Sequence, residues 1–161
     1  ILRPSYFFQN DAALQAPLTQ AGLYVSPVGD KGVSMVDVRD IADAAVIELL
    51  RRDRAPAALP PVTYELAGPD ALTGQSLAAI WAEALGREVR YAGGDLDAFE
   101  KAVRTNALAW LAYDLRAMMH RYQADGARAT AADLDRLAAL LGRPPRSYRD
   151  FARDTAPGWQ A

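Results

Sequence analysis

The 161-residue sequence contains no cysteine and a single histidine, His120. The first absence removes disulfides, thiolate nucleophiles and cysteine-based zinc sites, and the second removes a histidine-rich metal site, so no metal is expected. Charge of one sign is lacking too. Eighteen Lys and Arg face twenty Asp and Glu, for a formal charge of -2, which gives no global attraction to nucleic acid or to an anionic membrane surface. No stretch reaches the roughly 18 uninterrupted apolar residues of a membrane helix. The N-terminus lacks the basic region and apolar stretch of a secretory signal. A cytoplasmic protein with neither nucleic-acid nor membrane partners is expected. The rest, 51% hydrophobic and 24% charged, is ordinary globular composition.

The chain opens ILRPSYFFQN, with no initiating methionine and with extended structure reaching Pro4. This reads as the interior of a larger protein, so sequence upstream is expected. Asn10 to Gly22 reads as weakly helical or irregular, interrupted by Pro17. LYVSPV and VSMVDV flank the turn residues GDKG and predict a hairpin. Asp40 is placed to cap a helix over IADAAVIELLRR, whose apolar residues keep helical spacing. VTYELAG and REVRYAG alternate as strands. Between them Thr73 caps, and Gly86 ends, a helix carrying Leu77, Ile80, Trp81 and Leu85. From Asp95 onward the chain is helical. ALAWLAYDLRAMMHRYQ is amphipathic, and Thr130 with Asp133 and Ser147 with Asp150 match the capping-box pattern.

Few residues invite chemistry. Tyr113 and His120, seven apart, share a helix face, and a histidine beside a phenol can move protons near neutral pH. An exposed or interface histidine explains the same spacing. Met118 and Met119 read as packing residues, or as the lining of an adaptable ligand pocket or subunit contact. Asp37, Arg39 and Asp40 have the makings of a tuned acid-base pair, but a helix cap with a surface arginine accounts for them. Arg143, Arg146 and Arg149 read as a solvated helix face diluted by Asp150 and Asp154. No catalytic residue is assigned.

Three stretches, LRPSYFFQN, VSMVDVRDIADAAVIELL and TYELAGPDALTGQSLAAIWAEALGREVRY, together resemble the second half of NmrA-like proteins, the atypical branch of the short-chain dehydrogenases/reductases. Asp70 replaces that family's usual glutamate, and GRPPRSYRDFARD is similar to its closing helix. The resemblance implies an α/β, partial Rossmann-type fold. Residues 1–94 would hold the last strands of a parallel sheet, and 95–161 a mainly helical, substrate-side lobe. The N-terminal nucleotide-binding half would be absent. Complete relatives would use NADP or NAD. This chain has neither a GxxGxxG loop nor a YxxxK pair, Gly29/Gly32 and Gly93/Gly94 having the wrong spacing, so no cofactor is expected for it alone.

Carried onto this sequence, Pro4, Ser5, Tyr6 and Phe7 would wall the cofactor, provided the missing half is supplied. Asn10 would lie at the pocket edge, with Tyr113 and His120 on the substrate side. The plainer reading makes Pro4 a strand end, Phe7 and Phe8 core, and Asn10 a cap. The expected function is the substrate-side portion of an NAD(P)-dependent reductase or redox-sensing protein, not catalytic alone. The alternative is a standalone binding or assembly module. Its incomplete sheet would be covered by a second copy or a partner, and a small-molecule ligand is possible in either case.

Overall fold

The structure is a computed structural model and describes residues 1–159. Strand β1 (Leu2–Pro4) pairs in parallel with β3 (Tyr64–Leu66), in the register Leu2 to Tyr64 and Pro4 to Leu66. Strand β2 (Leu23–Tyr24) pairs in parallel with β4 (Arg90–Tyr91). Parallel neighbours need crossover connections. Helix α1 (Val38–Asp53) lies between β1 and β3, and α2 (Gly74–Leu85) between β3 and β4. Four further helices follow: α3 (Leu96–Arg104), α4 (Ala109–Asp125), α5 (Ala131–Leu141) and α6 (Tyr148–Trp159). Among the described residues no helix is long and apolar enough to cross a membrane, and no cluster of three metal-ligating side chains occurs.

The caps follow local chemistry. Thr73 and Ser76 form a reciprocal capping box, and so do Thr130 and Asp133. Asp95 accepts from the amides of Asp97 and Ala98, and Gly86 closes α2 in the left-handed conformation. The Ser147 and Asp150 side chains bond at 2.7 Å ahead of α6.

Three expectations need correction. LYVSPV and VSMVDV do not form a hairpin. Val33 bridges Leu72 and Ala127 instead, and Val36 bridges Phe7 in parallel. Val28, Val33, Met35 and Val36 are all fully buried, and each follows burial to its own neighbour rather than pairing across the GDKG turn. Nor does Asp40 cap α1. Asp37 has the extended backbone and accepts from the Arg39 amide at 2.8 Å. Asp40, one turn in, is buried against Arg143 at 2.7 Å and against Arg146. Arg143 and Arg146, read as a solvated face, therefore clamp Asp40 and Asp43, joining the chain ahead of α6 to α1.

The core has two parts. Leu66, Val36, Ala44 and Leu137 fill the space between the β1–β3 pair and helices α1 and α5. The larger part gathers Phe8, Leu18, Tyr24, Met35, Leu77, Trp81, Met119, Tyr148 and Phe151. There α6 packs on α2, and Trp81 stacks on Trp159 with centroids 4.6 Å apart. Arg3 and Glu65 alternate out of the sheet and pair with each other at 3.0 Å.

Candidate functional site

The chain leaves β1 at Pro4 and forms one wall of a groove of about 510 Å³. Pro4, Ser5, Tyr6, Phe7 and Asn10 make that wall. Opposite stand Phe99 and Val103 from α3, and Leu115, Met118, Met119 and Tyr122 from α4. The α3 pair is spaced i, i+4 and the α4 set i, i+3, i+4, i+7, so each helix turns one stripe inward. Arg116 ties the two helices together from outside through Asp97 at 2.8 Å and Glu100 at 3.3 Å. Tyr6 meets Tyr122 edge to face across the groove, with centroids 6.1 Å apart. The lining is apolar and aromatic, with hydroxyls of Ser5, Tyr6 and Tyr122 and the Asn10 amide as its polar groups.

Behind this wall lies a buried carboxylate. Asp11 Oδ2 accepts from the Tyr24 hydroxyl at 2.8 Å and from the Tyr148 hydroxyl, which itself accepts from Trp81 Nε1 at 2.9 Å. Asp11 Oδ1 has no hydrogen-bond partner among the described residues. Burial pushes the Asp11 carboxyl up to about 6, against the two tyrosine hydrogen bonds that favour its charged form. Burial also holds the Tyr6 phenol in its neutral form, helped by the Asp11 charge and opposed by Ser26 and Asn10.

The structure thus brings Pro4, Ser5, Tyr6, Phe7 and Asn10 to one groove, while Phe8 turns into the core. It does not bring Tyr113 and His120 there. Both are exposed, because each precedes a groove residue, Leu115 or Tyr122, by two positions and so faces about 160° away around the helix. Phe99, Val103, Leu115 and Tyr122 are not among the residues the sequence singles out for the site, although Leu115 shares the helical spacing of Met118 and Met119 and Tyr122 lies off the face of Tyr113 and His120. Asp11 carried no signal.

No family model matches the sequence. The chain is 31% identical over 160 residues to an NAD(P)H azoreductase from Xenophilus azovorans, covering 99% of this chain and 54% of that protein. It is 29% identical over 155 residues to a (4-alkanoyl-5-oxo-2,5-dihydrofuran-3-yl)methyl phosphate reductase from Streptomyces griseus, covering 96% of this chain and 52% of that one. Among solved structures, an NADPH-dependent quinone oxidoreductase from Escherichia coli, complexed with NADPH, superposes with a TM-score of 0.76 at 24% identity over 94% of this chain and 51% of its own. A triphenylmethane reductase from Citrobacter sp. gives 0.76 at 20% identity, over 96% and 52%. Relatives named as NAD(P)H-dependent reductases match nearly all of this chain, as the C-terminal half of an NAD(P)-binding family protein would. The chain spans about half the length of the curated relatives it matches, and its fold is the Rossmann-like fold of the structural neighbours.

A Rossmann-type fold holds its dinucleotide where glycines let the pyrophosphate approach a helix N-terminus. The described residues do not fit that group. A Cβ on Gly68 would collide with the Met35 carbonyl, one on Gly93 with the Ser26 carbonyl, and one on Gly74 with the Tyr91 ring. These close approaches are thus made to the chain's own atoms. The α3 N-terminus, which follows Gly93 and Gly94, is already filled by the Asp95 carboxylate.

Proposed function

We propose that this chain forms the substrate-side part of an NAD(P)H-dependent reductase and binds the aromatic body of its substrate in the groove between β1 and the α3–α4 pair. The single observation that carries this reading is the groove itself. Four aromatic rings and two methionines line it, and the few polar groups lie where they orient rather than neutralise a ligand. The names of the relatives, an azoreductase, a quinone oxidoreductase and a triphenylmethane reductase, agree with an extended aromatic ligand. Substrate placement is assigned to Pro4, Ser5, Tyr6, Phe7 and Asn10, and the α4 stripe closes over it. The cofactor of complete relatives, NADP or NAD, is not held by this chain alone, so no hydride step is assigned to it.

Titration calorimetry tests both parts. A neutral aromatic probe such as naphthol should bind, and Met118→Gln should weaken it several-fold by placing an amide in the apolar wall. NADPH should give no saturable heat. Micromolar NADPH binding by material of verified mass would end the second part, and a Met118→Gln variant with unchanged naphthol affinity would end the first.

A second reading is an assembly module that pairs with itself or a partner. Strand β1 has β3 as its one strand partner among the described residues. Exposed Ile1 and Leu49 flank a cavity of about 410 Å³ beside it, a surface suited to a covering strand or helix. Sedimentation decides, since a monomer at tens of micromolar would remove this reading.

A further inference from the structure

A second groove, of about 530 Å³, adjoins the apolar one, and Pro4, Ser5 and Tyr122 line both. Four charged side chains, Arg3, Glu65, Arg128 and Asp133, also line it, and the charges are not equivalent. Arg3 is engaged by Glu65 at 3.0 Å. Asp133 is engaged by Thr130, accepting from its amide at 3.1 Å and from its hydroxyl at 2.6 Å. Arg128 has no carboxylate partner among the described residues. Its Nε donates to the Lys31 carbonyl at 2.5 Å. Gly32, with φ +93, admits this approach, and a Cβ there would stand 2.9 Å from Nε. The guanidinium is thereby oriented through its inner nitrogen, while both terminal nitrogens are unengaged among the described residues, the fork that recognises planar or tetrahedral oxyanions. The Ser5 and Tyr122 hydroxyls, at the junction of the grooves, are also without hydrogen-bond partners among the described residues.

We propose that this polar groove binds the carboxylate or phosphate of an amphiphilic ligand through Arg128, while the ligand's aromatic body lies in the adjoining apolar groove. The proposal rests on the reading of the apolar groove as the substrate site. Apolar contact supplies binding to the body, and Arg128 supplies selection for a charged end. Because Arg128 is exposed, this selection weakens as salt screens it.

Calorimetry on the full chain with naphthol, naphthyl phosphate and inorganic phosphate tests it. At low salt naphthyl phosphate should bind about 10-fold tighter than naphthol, as expected for one charge-assisted contact. Arg128→Gln should bring the two within about 2-fold and leave naphthol unchanged, and Arg128→Lys should retain only part of the preference because the fork is lost. Circular dichroism confirms that each variant is folded. Equal binding of the two naphthyl probes by the unaltered chain, or a preference that survives Arg128→Gln, overturns the proposal and leaves the apolar site standing. Binding of naphthyl phosphate through Arg128 without binding of naphthol removes the apolar site and leaves the anion site. Inorganic phosphate that binds as tightly as the ester overturns the amphiphilic ligand in favour of a free-phosphate site. If neither naphthyl probe binds, both readings fall.

Discussion

Asp11→Asn is the perturbation that most directly tests the physics of this fold. The carboxyl is buried behind the groove wall, and its folded pKa is raised from 3.8 to about 6. The sign follows from linkage. A carboxyl whose folded pKa exceeds its unfolded value favours folding while protonated, so its contribution is fully present below about pH 4 and is lost as pH rises through about 6. A difference of about 2 pKa units corresponds to about 3 kcal/mol between those limits. Asparagine keeps an oxygen for the Tyr24 and Tyr148 hydroxyls but cannot ionise. Urea unfolding followed by tryptophan fluorescence at pH 4.5 and pH 7.5, in both proteins, isolates this one group, since all other titrations cancel in the difference. The stability of Asp11→Asn relative to the unaltered chain should rise by about 2 kcal/mol from the lower to the higher pH. The tyrosine bonds set the absolute offset but not this slope. A flat difference would show that water reaches the carboxylate. A difference of opposite sign would mean that the two phenols overcompensate burial, and the reasoning would fail.

Two other sites give sharp expectations. Asp40→Ala leaves Arg143 and Arg146 without their buried carboxylate and should cost about 2 kcal/mol, below the roughly 3–5 kcal/mol of fully buried pairs because both arginines retain some solvent. Asp43→Ala, on the half-exposed carboxylate of the same cluster, should cost under about 0.5 kcal/mol; equal losses in urea titrations would refute this division. Gly68→Ala sets a Cβ against the Met35 carbonyl, whose oxygen accepts from the Gly68 amide at 2.6 Å. Because backbone rather than a flexible side chain must yield, a loss of about 2 kcal/mol is expected, and an unchanged thermal midpoint would contradict it.

Helix-forming signals were legible because they are local. Thr73, Gly86, Asp95 and Thr130 act within one turn of their own position, and the structure shows each as a cap or terminator. The groove-facing stripe of α4 was equally legible as spacing, but which stripe faced inward was not. That choice depends on α3 and on the chain after β1, both remote in sequence, and it sends Leu115 and Tyr122 inward while Tyr113 and His120 face away. The hairpin misread has the same origin. GDKG carries turn chemistry, yet Val33 and Val36 pair with Leu72, Ala127 and Phe7, all remote in sequence or on the other side of the turn. Asp40 looked like a cap because caps are common before apolar helical runs, and only the fold reveals two arginines about a hundred residues away.

The opening segment shows how the groove depends on the core. Tyr6 points into the groove and Phe8, two residues on, is buried edge to face against Tyr148 with centroids 5.1 Å apart. Backbone bonds fix both ends of this step, since Phe8 donates to the Val36 carbonyl at 2.9 Å and Val36 donates to the Tyr6 carbonyl at 2.8 Å. Tyr148 also reaches Asp11 and Trp81, so one side chain of α6 positions Phe8, the buried carboxylate and the α2 core together. The groove wall is therefore not a free loop after a strand. A change in α6 that displaces Tyr148 moves the segment carrying Tyr6 and Asn10, although α6 itself contributes no residue to the groove.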